Sequence, residues 1–556
     1  MKPCDEAKGL EGTSQCGAIR SPLVSYASGQ YSLSMHPRIL LSREVDLGTL
    51  KIGGRQPLSC QSMITAQTED SEAAYREISE LEEAGADLVR LTVPGLKAAA
   101  SLESLRERMA RAGICTPLVA DIHFSPEAAI LAADFVEKVR INPGNFSDRK
   151  RFEESEFTDE HYQRELERVA GLFTPLVEKC QRLGRVLRIG ANHGSLSDRV
   201  MTRFGDTPRG MVESALEYAR IAESLDFHDL VFSMKASSVR TAINAGRLLA
   251  LEQLRRSEEE GLPVYPFHLG VTEAGEGEDA RMKSFLGIGG LLRWGIGDTL
   301  RVSLTEEAVR EIPVARELAA HFEEARTDAV PWTLQELVEA LQGEKLPAAR
   351  ALEDPGHRHP VILSPVHWKP GVEDLRSTDW DESAPDHIST EERGGCSEVD
   401  KEDVLALCLG PGLDLLEGRS GGLRVLADSA ESARERCRLA FSLLQNTRLR
   451  MNRADFITCP GCGRTHFELQ EVSRKLRDRF AHRKGLKIGV MGCLVNGPGE
   501  MADADYGYVG AAPGRVDLYR GQECVEKNIP ESEAVEKLEE LINSREQTSD
   551  PRDTGQ

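Results

Sequence analysis

A short apolar strand that closes on polar residues and is followed by a helical stretch recurs eight times between residues 57 and 304, and nothing else in the chain constrains the fold as tightly. The strands are read at 57–64, 87–93, 117–123, 138–143, 185–192, 229–237, 266–274 and 299–304, with starts 30, 30, 21, 47, 44, 37 and 33 residues apart. The intervals carry patterns such as SEAAYREISELEEAG and PRGMVESALEYARIAESL, whose apolar residues recur at helical spacing. Eight strands alternating with helices over about 250 residues is the count and length of a (β/α)8 barrel. The expected fold class is therefore α/β: a TIM barrel, then an inserted module, then a C-terminal α+β domain.

In such a barrel the chemistry sits at the C-terminal ends of the strands. Those ends read CQSM, VRLT, ADIH, VRINPGN, RIGANHGS, SMKAS, HLGVTEAG and LRVSL. Any one of them would pass as an ordinary turn between strand and helix; eight polar ends beside small residues are harder to dismiss. Five supply a cation: Arg90, Arg140, Arg188, Lys235 and Arg301. The chain as a whole has 69 Lys and Arg against 91 Asp and Glu, a net charge of −22, which disfavours nonspecific adhesion to nucleic acid or to an anionic membrane. Five positive groups around one mouth in so acidic a protein call for a strongly anionic small ligand, and a phosphate or diphosphate suits guanidinium forks.

The ends of the chain are bland. Residues 1–36 lack the apolar segment of a secretory signal and carry Asp5, Glu6 and Glu11, unlike an organellar transit peptide; no run of 18 apolar residues occurs anywhere. They read as a flexible tail on a cytoplasmic protein, as do 546–556. The barrel is assigned to 37–324, an inserted domain to 325–425 and the last domain to 426–545. The insert holds the helical patterns WTLQELVEALQ and KEDVLALCLG around a Pro-, His- and acid-rich run with a poorly ordered centre. His357, His359 and His367 are of metal-binding type, but no Cys or carboxylate stands at regular spacing beside them, so they read as solvated loop histidines.

Twelve cysteines in 556 residues are too sparse for a disulfide scaffold. Cys459 and Cys462 form a C-x2-C in a Gly/Pro turn, Cys493 follows after 30 intervening residues, and Glu500 comes after the turn Asn496-Gly497-Pro498-Gly499. Thr465 and Glu468 make a T-x-x-E box expected to start a helix. The thiols allow three readings: a structural zinc site completed by Cys524, a disulfide or plain turn cysteines, or an iron–sulfur cluster on three thiolates with Glu500 at the remaining iron. Three thiolates and one labile position suit a cluster that does chemistry.

The strings VRINPGN, RIGANHGSL, SMKAS, HLGVTEAG, DTLRVSLT, CPGCGR and GCLVNGPGE, in this order, resemble the (E)-4-hydroxy-3-methylbut-2-enyl diphosphate synthase family, over about residues 38–320 and 430–530. The segment 325–425 resembles the insert of the family's longer, three-domain form. The resemblance implies a barrel that binds 2-C-methyl-D-erythritol 2,4-cyclodiphosphate, opens its ring reductively with loss of water, and works with a 4Fe-4S cluster in the C-terminal domain. Carried over by position, Cys459, Cys462 and Cys493 hold the cluster, and Glu500 sits at the unique iron as proton donor with Asn496 beside it. Gln61, Arg90, Asp121, Arg140, Asn142, Arg188, Asn192, His193, Lys235, Glu273, Arg301 and Ser303 line the barrel mouth. Flavodoxin or ferredoxin is implied as electron donor, and a homodimer is allowed. The insert is read as a spacer that lets the cluster domain reach a barrel mouth. Two other classes compete: a non-redox barrel enzyme on a phosphorylated substrate with a structural zinc site, and a phosphate-binding scaffold indifferent to Glu500.

Overall fold

The computed structural model describes residues 37–147, 158–343, 361–363, 388–389, 396–420, 422–426, 429–494 and 497–546. The tail 1–36, the centre of the insert with His357, His359 and His367, residues 547–556, and Asn496 lie outside the described residues. Among those described, no helix is long and apolar enough to cross a membrane.

Each of the eight expected strand segments contains one parallel strand: β1 (Ser59–Met63), β2 (Leu88–Val93), β3 (Leu118–Ile122), β4 (Lys138–Ile141), β5 (Val186–Asn192), β6 (Leu230–Lys235), β7 (His268–Leu269) and β8 (Thr299–Leu300). They pair in the order β7-β8-β1-β2-β3-β4-β5-β6. The ring closes where Phe232 bridges Phe267 and the Phe232 N–H donates to the Pro266 carbonyl at 2.8 Å. The strands are shorter than their sequence segments because the polar ends leave the ladder to become loops. Several of those loops are pinned at once by a helix cap: Asp70, Ser125, Thr207 and Ser238 each accept from the backbone N–H three residues on.

Alternation along the strands decides what fills the barrel. At the floor, Leu88, Val119, Val186 and Val231 form one apolar layer with Val45, Leu47 and Ile52 of a small N-terminal hairpin. That plug leaves only the upper interior for polar side chains.

Beyond the barrel the insert packs on its outside. Val404–Leu407 and Leu413–Leu416 are joined by a wider turn over Cys408–Gly412, where Pro411 removes a helical donor. Glu417 then reaches under the barrel helices, accepting from Arg247 Nη2 at 2.7 Å and from Trp294 Nε1 at 3.1 Å, with all three side chains buried. The insert also holds a parallel sheet, β9 (Val361–Leu363), β10 (Ile388–Ser389), β11 (Ser397–Val399) and β12 (Leu423–Val425), in the order β10-β9-β12-β11. Runs of two or three residues give no periodicity to read, so the sequence did not announce this sheet.

The helix Ala430–Asn446 leads back to the C-terminal domain, where β13 (Asp455–Thr458), β14 (Lys487–Met491) and β15 (Tyr506–Ala512) run parallel and β16 (Arg515–Arg520) and β17 (Glu523–Pro530) continue antiparallel. Phe456, Leu476, Phe480, Ile488, Val490, Tyr508 and Leu538 form its core. One expectation is corrected here. The helix begins at Leu469 with Glu468 as an uncapped N-cap, not at Thr465. Thr465 Oγ1 instead accepts the Cys462 N–H at 3.1 Å, so the hydroxyl is spent on holding the cysteine turn.

The buried Arg247–Glu417 pair sets a stability test. Glu417→Leu strands a buried guanidinium and should cost about 3–5 kcal/mol, whereas Arg247→Met with Glu417→Leu should recover most of it. Denaturant unfolding of the two variants beside the parent chain measures both.

Candidate functional site

The C-terminal domain sits over the barrel mouth of its own chain. Thr305 Oγ1 donates to the Cys459 carbonyl at 2.9 Å, Asn192 Nδ2 donates to Glu500 Oε1 at 2.6 Å, and Lys283 pairs with Asp455 at 3.0 Å. Gly194, at φ +75°, faces Gly499 so closely that a Cβ on either would strike the other's carbonyl, which is why this seam admits no side chain. Between mouth and cap lies a cavity of about 790 Å³ of empty space, partly open to solvent.

All five strand-end cations, Arg90, Arg140, Arg188, Lys235 and Arg301, line that cavity. Gly190 makes room for one of them, since a Cβ there would lie 2.8 Å from Arg140 Nε. Two carboxylates pin this positive field. Asp121 accepts from Arg140 Nη1 at 2.8 Å, and Glu311 holds Arg301 through two bonds of 2.9 and 2.8 Å. Burial pushes the Asp121 carboxyl up, but Arg140, Arg90 and His123 outweigh it and hold it well below the usual carboxylate range. Burial and the neighbouring guanidiniums pull Lys235 well down, and burial above all lowers Arg90 to about 10. Such a field is relaxed by an anion.

The cap brings Cys459, Cys462, Cys493 and Glu500 to the same cavity, from the end of β13, from the loop after β14 and from the turn after it. All three cysteines are free thiols, and the Gly492 N–H donates to Cys459 Sγ at 3.2 Å. Burial pushes the Cys459 thiol up, against the amides of Gly492 and Gly461. Among the described residues no three Cys, His, Asp or Glu side chains are close enough to clasp a single metal ion. Cys524 stands on β17, four strand spacings or about 19 Å across the sheet from β13, and contacts Glu526 instead, so it cannot complete a four-cysteine zinc site. Three thiols lining one cavity, with amide donors beside Cys459, are the ligand type of an iron–sulfur cluster. Opposite them Glu273 is held at φ +51°, rare for a non-glycine residue, and burial together with the adjoining Glu500 raises its carboxyl well above the usual range.

The other expected residues divide. Asp121, Asn192, Glu273 and Ser303 line the cavity. Gln61 is buried below it in the barrel, Asn142 Oδ1 accepts the Gly144 N–H to start the turn after β4, and His193 turns aside to Asp206. Met63, Thr272 and Arg464 line the cavity without having been singled out. Arg464 had a signal, because it ends the string CPGCGR; its Nη2 reaches the Asp121 carbonyl and Oδ2 at 3.4 and 3.5 Å. Met63 had none, since a thioether that accepts from Arg90 Nε at 3.0 Å reads in sequence as core.

A TIM barrel with a cation-lined mouth, capped by a domain that carries three thiols and a carboxylate into the same cavity, defines the class of this protein. Models of known families match on both sides of the chain: the GcpE TIM-barrel domain over residues 42–316 and the GcpE protein C-terminal domain over 455–544. A protein of Akkermansia muciniphila named 4-hydroxy-3-methylbut-2-en-1-yl diphosphate synthase (flavodoxin) is 43% identical, the match covering 92% of this chain and 97% of that one. Proteins of the same name from Porphyromonas gingivalis and Leptospira interrogans are 41% and 38% identical, covering 89% and 92% of this chain and 96% and 97% of theirs. The chain belongs to the 4-hydroxy-3-methylbut-2-enyl diphosphate synthase (GcpE) family.

Acid should test the mouth. His123, 2% exposed, is lowered from 6.5 to about 4, by burial first and then by Arg464. Its Nε2 lies 3.3 Å from Asp121 and its Nδ1 faces Asn145 Nδ2 at 3.0 Å. Because the folded value lies below the unfolded one, the unfolded chain binds a proton that the folded chain refuses. Stability should therefore fall by about 3 kcal/mol from this group as pH drops from about 6.5 to 4. Denaturant unfolding across that window should show a shallower fall for His123→Gln.

Proposed function

We infer that the chain catalyses the reductive ring opening and dehydration of 2-C-methyl-D-erythritol 2,4-cyclodiphosphate to (E)-4-hydroxy-3-methylbut-2-enyl diphosphate, in the methylerythritol phosphate route to isoprenoids. The carrying observation is that the five-cation barrel mouth and the thiol- and Glu500-bearing cap meet in one cavity, in a member of this family. The resident cofactor proposed is a 4Fe-4S cluster held by Cys459, Cys462 and Cys493. When bound, it supplies electrons singly and a Lewis-acid iron.

The rest falls to side chains. Arg90, Arg140, Arg188, Lys235 and Arg301 bind the cyclic diphosphate, and that remote binding energy orients the carbon skeleton. The bond from C2 to the ring oxygen breaks with its electron pair left on phosphate, the C3 hydroxyl departs as water, and the C2–C3 double bond forms; two electrons and one proton balance the change. Product carries one more negative charge than substrate, so the same cations favour the forward direction. Glu500, oriented by the hydrogen bond from Asn192, delivers the proton to the departing hydroxyl, and Glu273 beside it helps to hold that proton. Flavodoxin, which stands in the names of the relatives, is the proposed electron donor, with ferredoxin the alternative, and the cytoplasm is the proposed setting.

Two measurements test this reading. Ser in place of Cys459, Cys462 or Cys493 should abolish bound iron and acid-labile sulfide after anaerobic reconstitution, whereas Cys524→Ala should keep both; loss of iron from Cys524→Ala would revive a four-cysteine site. Glu500→Gln should retain cluster and substrate binding but lose turnover by about 10²–10⁴-fold with a saturating chemical reductant. Near-normal turnover there would end the acid role.

A further inference from the structure

Below the cavity the barrel holds a second polar layer, of which the proposed reaction uses only Arg188. Lys138 on β4 and His268 on β7 are 0% exposed, as is Gln61 on β1, and Arg188 on β5 is 1% exposed. Lys138 Nζ, His268 Nε2, both amide atoms of Gln61, and Arg188 Nε and Nη1 have no hydrogen-bond partner among the described residues. All four side chains point inward. Gln61 alternates with Met63, and Lys138 with Arg140, both of which line the cavity, as does Arg188 itself. His268 alternates with Gly270, where a Cβ would lie 2.7 Å from Lys235 Nζ. Lys138, His268 and Gln61 therefore meet Arg188, itself one of the diphosphate cations, above the apolar floor.

The charges that reach Lys138 are those of Arg188 and Arg90, and those that reach His268 are Arg188, Lys235, Lys138 and Arg90. No carboxylate is among them. A buried polar group without a partner is costly, and a buried unpaired charge more so. Lysine and histidine can lose the proton, but a guanidinium cannot, and Arg188 keeps two donors unspent. The carboxylate whose charge reaches Arg188 is Asp121, already bonded to Arg140 at 2.8 Å, so water would satisfy the donors and leave the positive charge underbalanced.

We propose that this deep layer is a binding site for a small monovalent anion of the halide class, held by Lys138, Arg188, His268 and Gln61 beneath the diphosphate site. A spherical acceptor suits donors arriving from four sides of a barrel. His268 fits as donor in the tautomer that carries its hydrogen on Nε2, with Thr299 Oγ1 3.5 Å from Nδ1. Without the anion, burial and Arg188 hold Lys138 well below its usual range; with it, the ammonium is restored and paired.

Bromide is the probe. Crystals of the anaerobically purified full chain grown in sodium bromide should show one anomalous peak among these four side chains, and the peak should persist when inorganic pyrophosphate occupies the cavity. In solution, replacing gluconate by bromide at constant ionic strength should raise Tm saturably by about 1–2 °C. Lys138→Met should lose both responses while melting in gluconate no lower than the parent chain. A layer holding only water, a Tm insensitive to bromide, an unchanged response in Lys138→Met, or displacement of bromide by pyrophosphate would each overturn the proposal. If Lys138→Met fails to fold, the bromide and pyrophosphate arms on the parent chain still decide.

Discussion

Buried positive charge without enough negative charge beside it is the constraint on which the rest of this structure depends. The barrel turns Arg90, Arg140, Arg188, Lys235 and Arg301 inward toward one cavity, where burial and mutual repulsion work against the charged forms of Arg90, Arg188 and Lys235. Asp121 and Glu311 each fix one guanidinium. The remaining field is what makes the mouth a receptor for a polyanion, and it can be tolerated only because the apolar floor and the strand ladder give these side chains nowhere else to point.

The cap answers the same field from above. Its contribution to the cavity includes three thiols, Glu500 and Arg464, and the contacts that seat it include Asn192 to Glu500, Thr305 to Cys459, Lys283 to Asp455, Arg464 to Asp121, and the bare backbone seam of Gly194 and Gly499. The insert supports this seating indirectly. It anchors on the outer barrel helices through Glu417, and the helix Ala430–Asn446 that follows carries the chain back toward the mouth, with Asn446 donating to Asp279 at 2.7 Å. The C-terminal domain thus lies over the barrel of its own chain.

The sequence by itself determined the barrel and the chemistry of its mouth. Strand and helix periodicities are local, so all eight strands could be read; each strand-end cation could be named because the fold type fixes which end of a strand bears function. The cysteines and Glu500 were equally legible, since a C-x2-C turn and a Gly/Pro turn are local devices. Tertiary structure decided what depends on neighbours distant in the chain. Thr465 has the sequence of a helix cap, yet its hydroxyl is claimed by the Cys462 amide. His193 stands in a mouth motif and turns to Asp206, while Met63, an ordinary core residue by type, contacts the guanidiniums of Arg90 and Arg301. The short parallel sheet of the insert, the unpartnered layer of Lys138 and His268, and the placement of the cap over its own mouth are likewise invisible in one dimension. Each arises from strands or side chains brought together across hundreds of residues, and no local propensity encodes such a meeting.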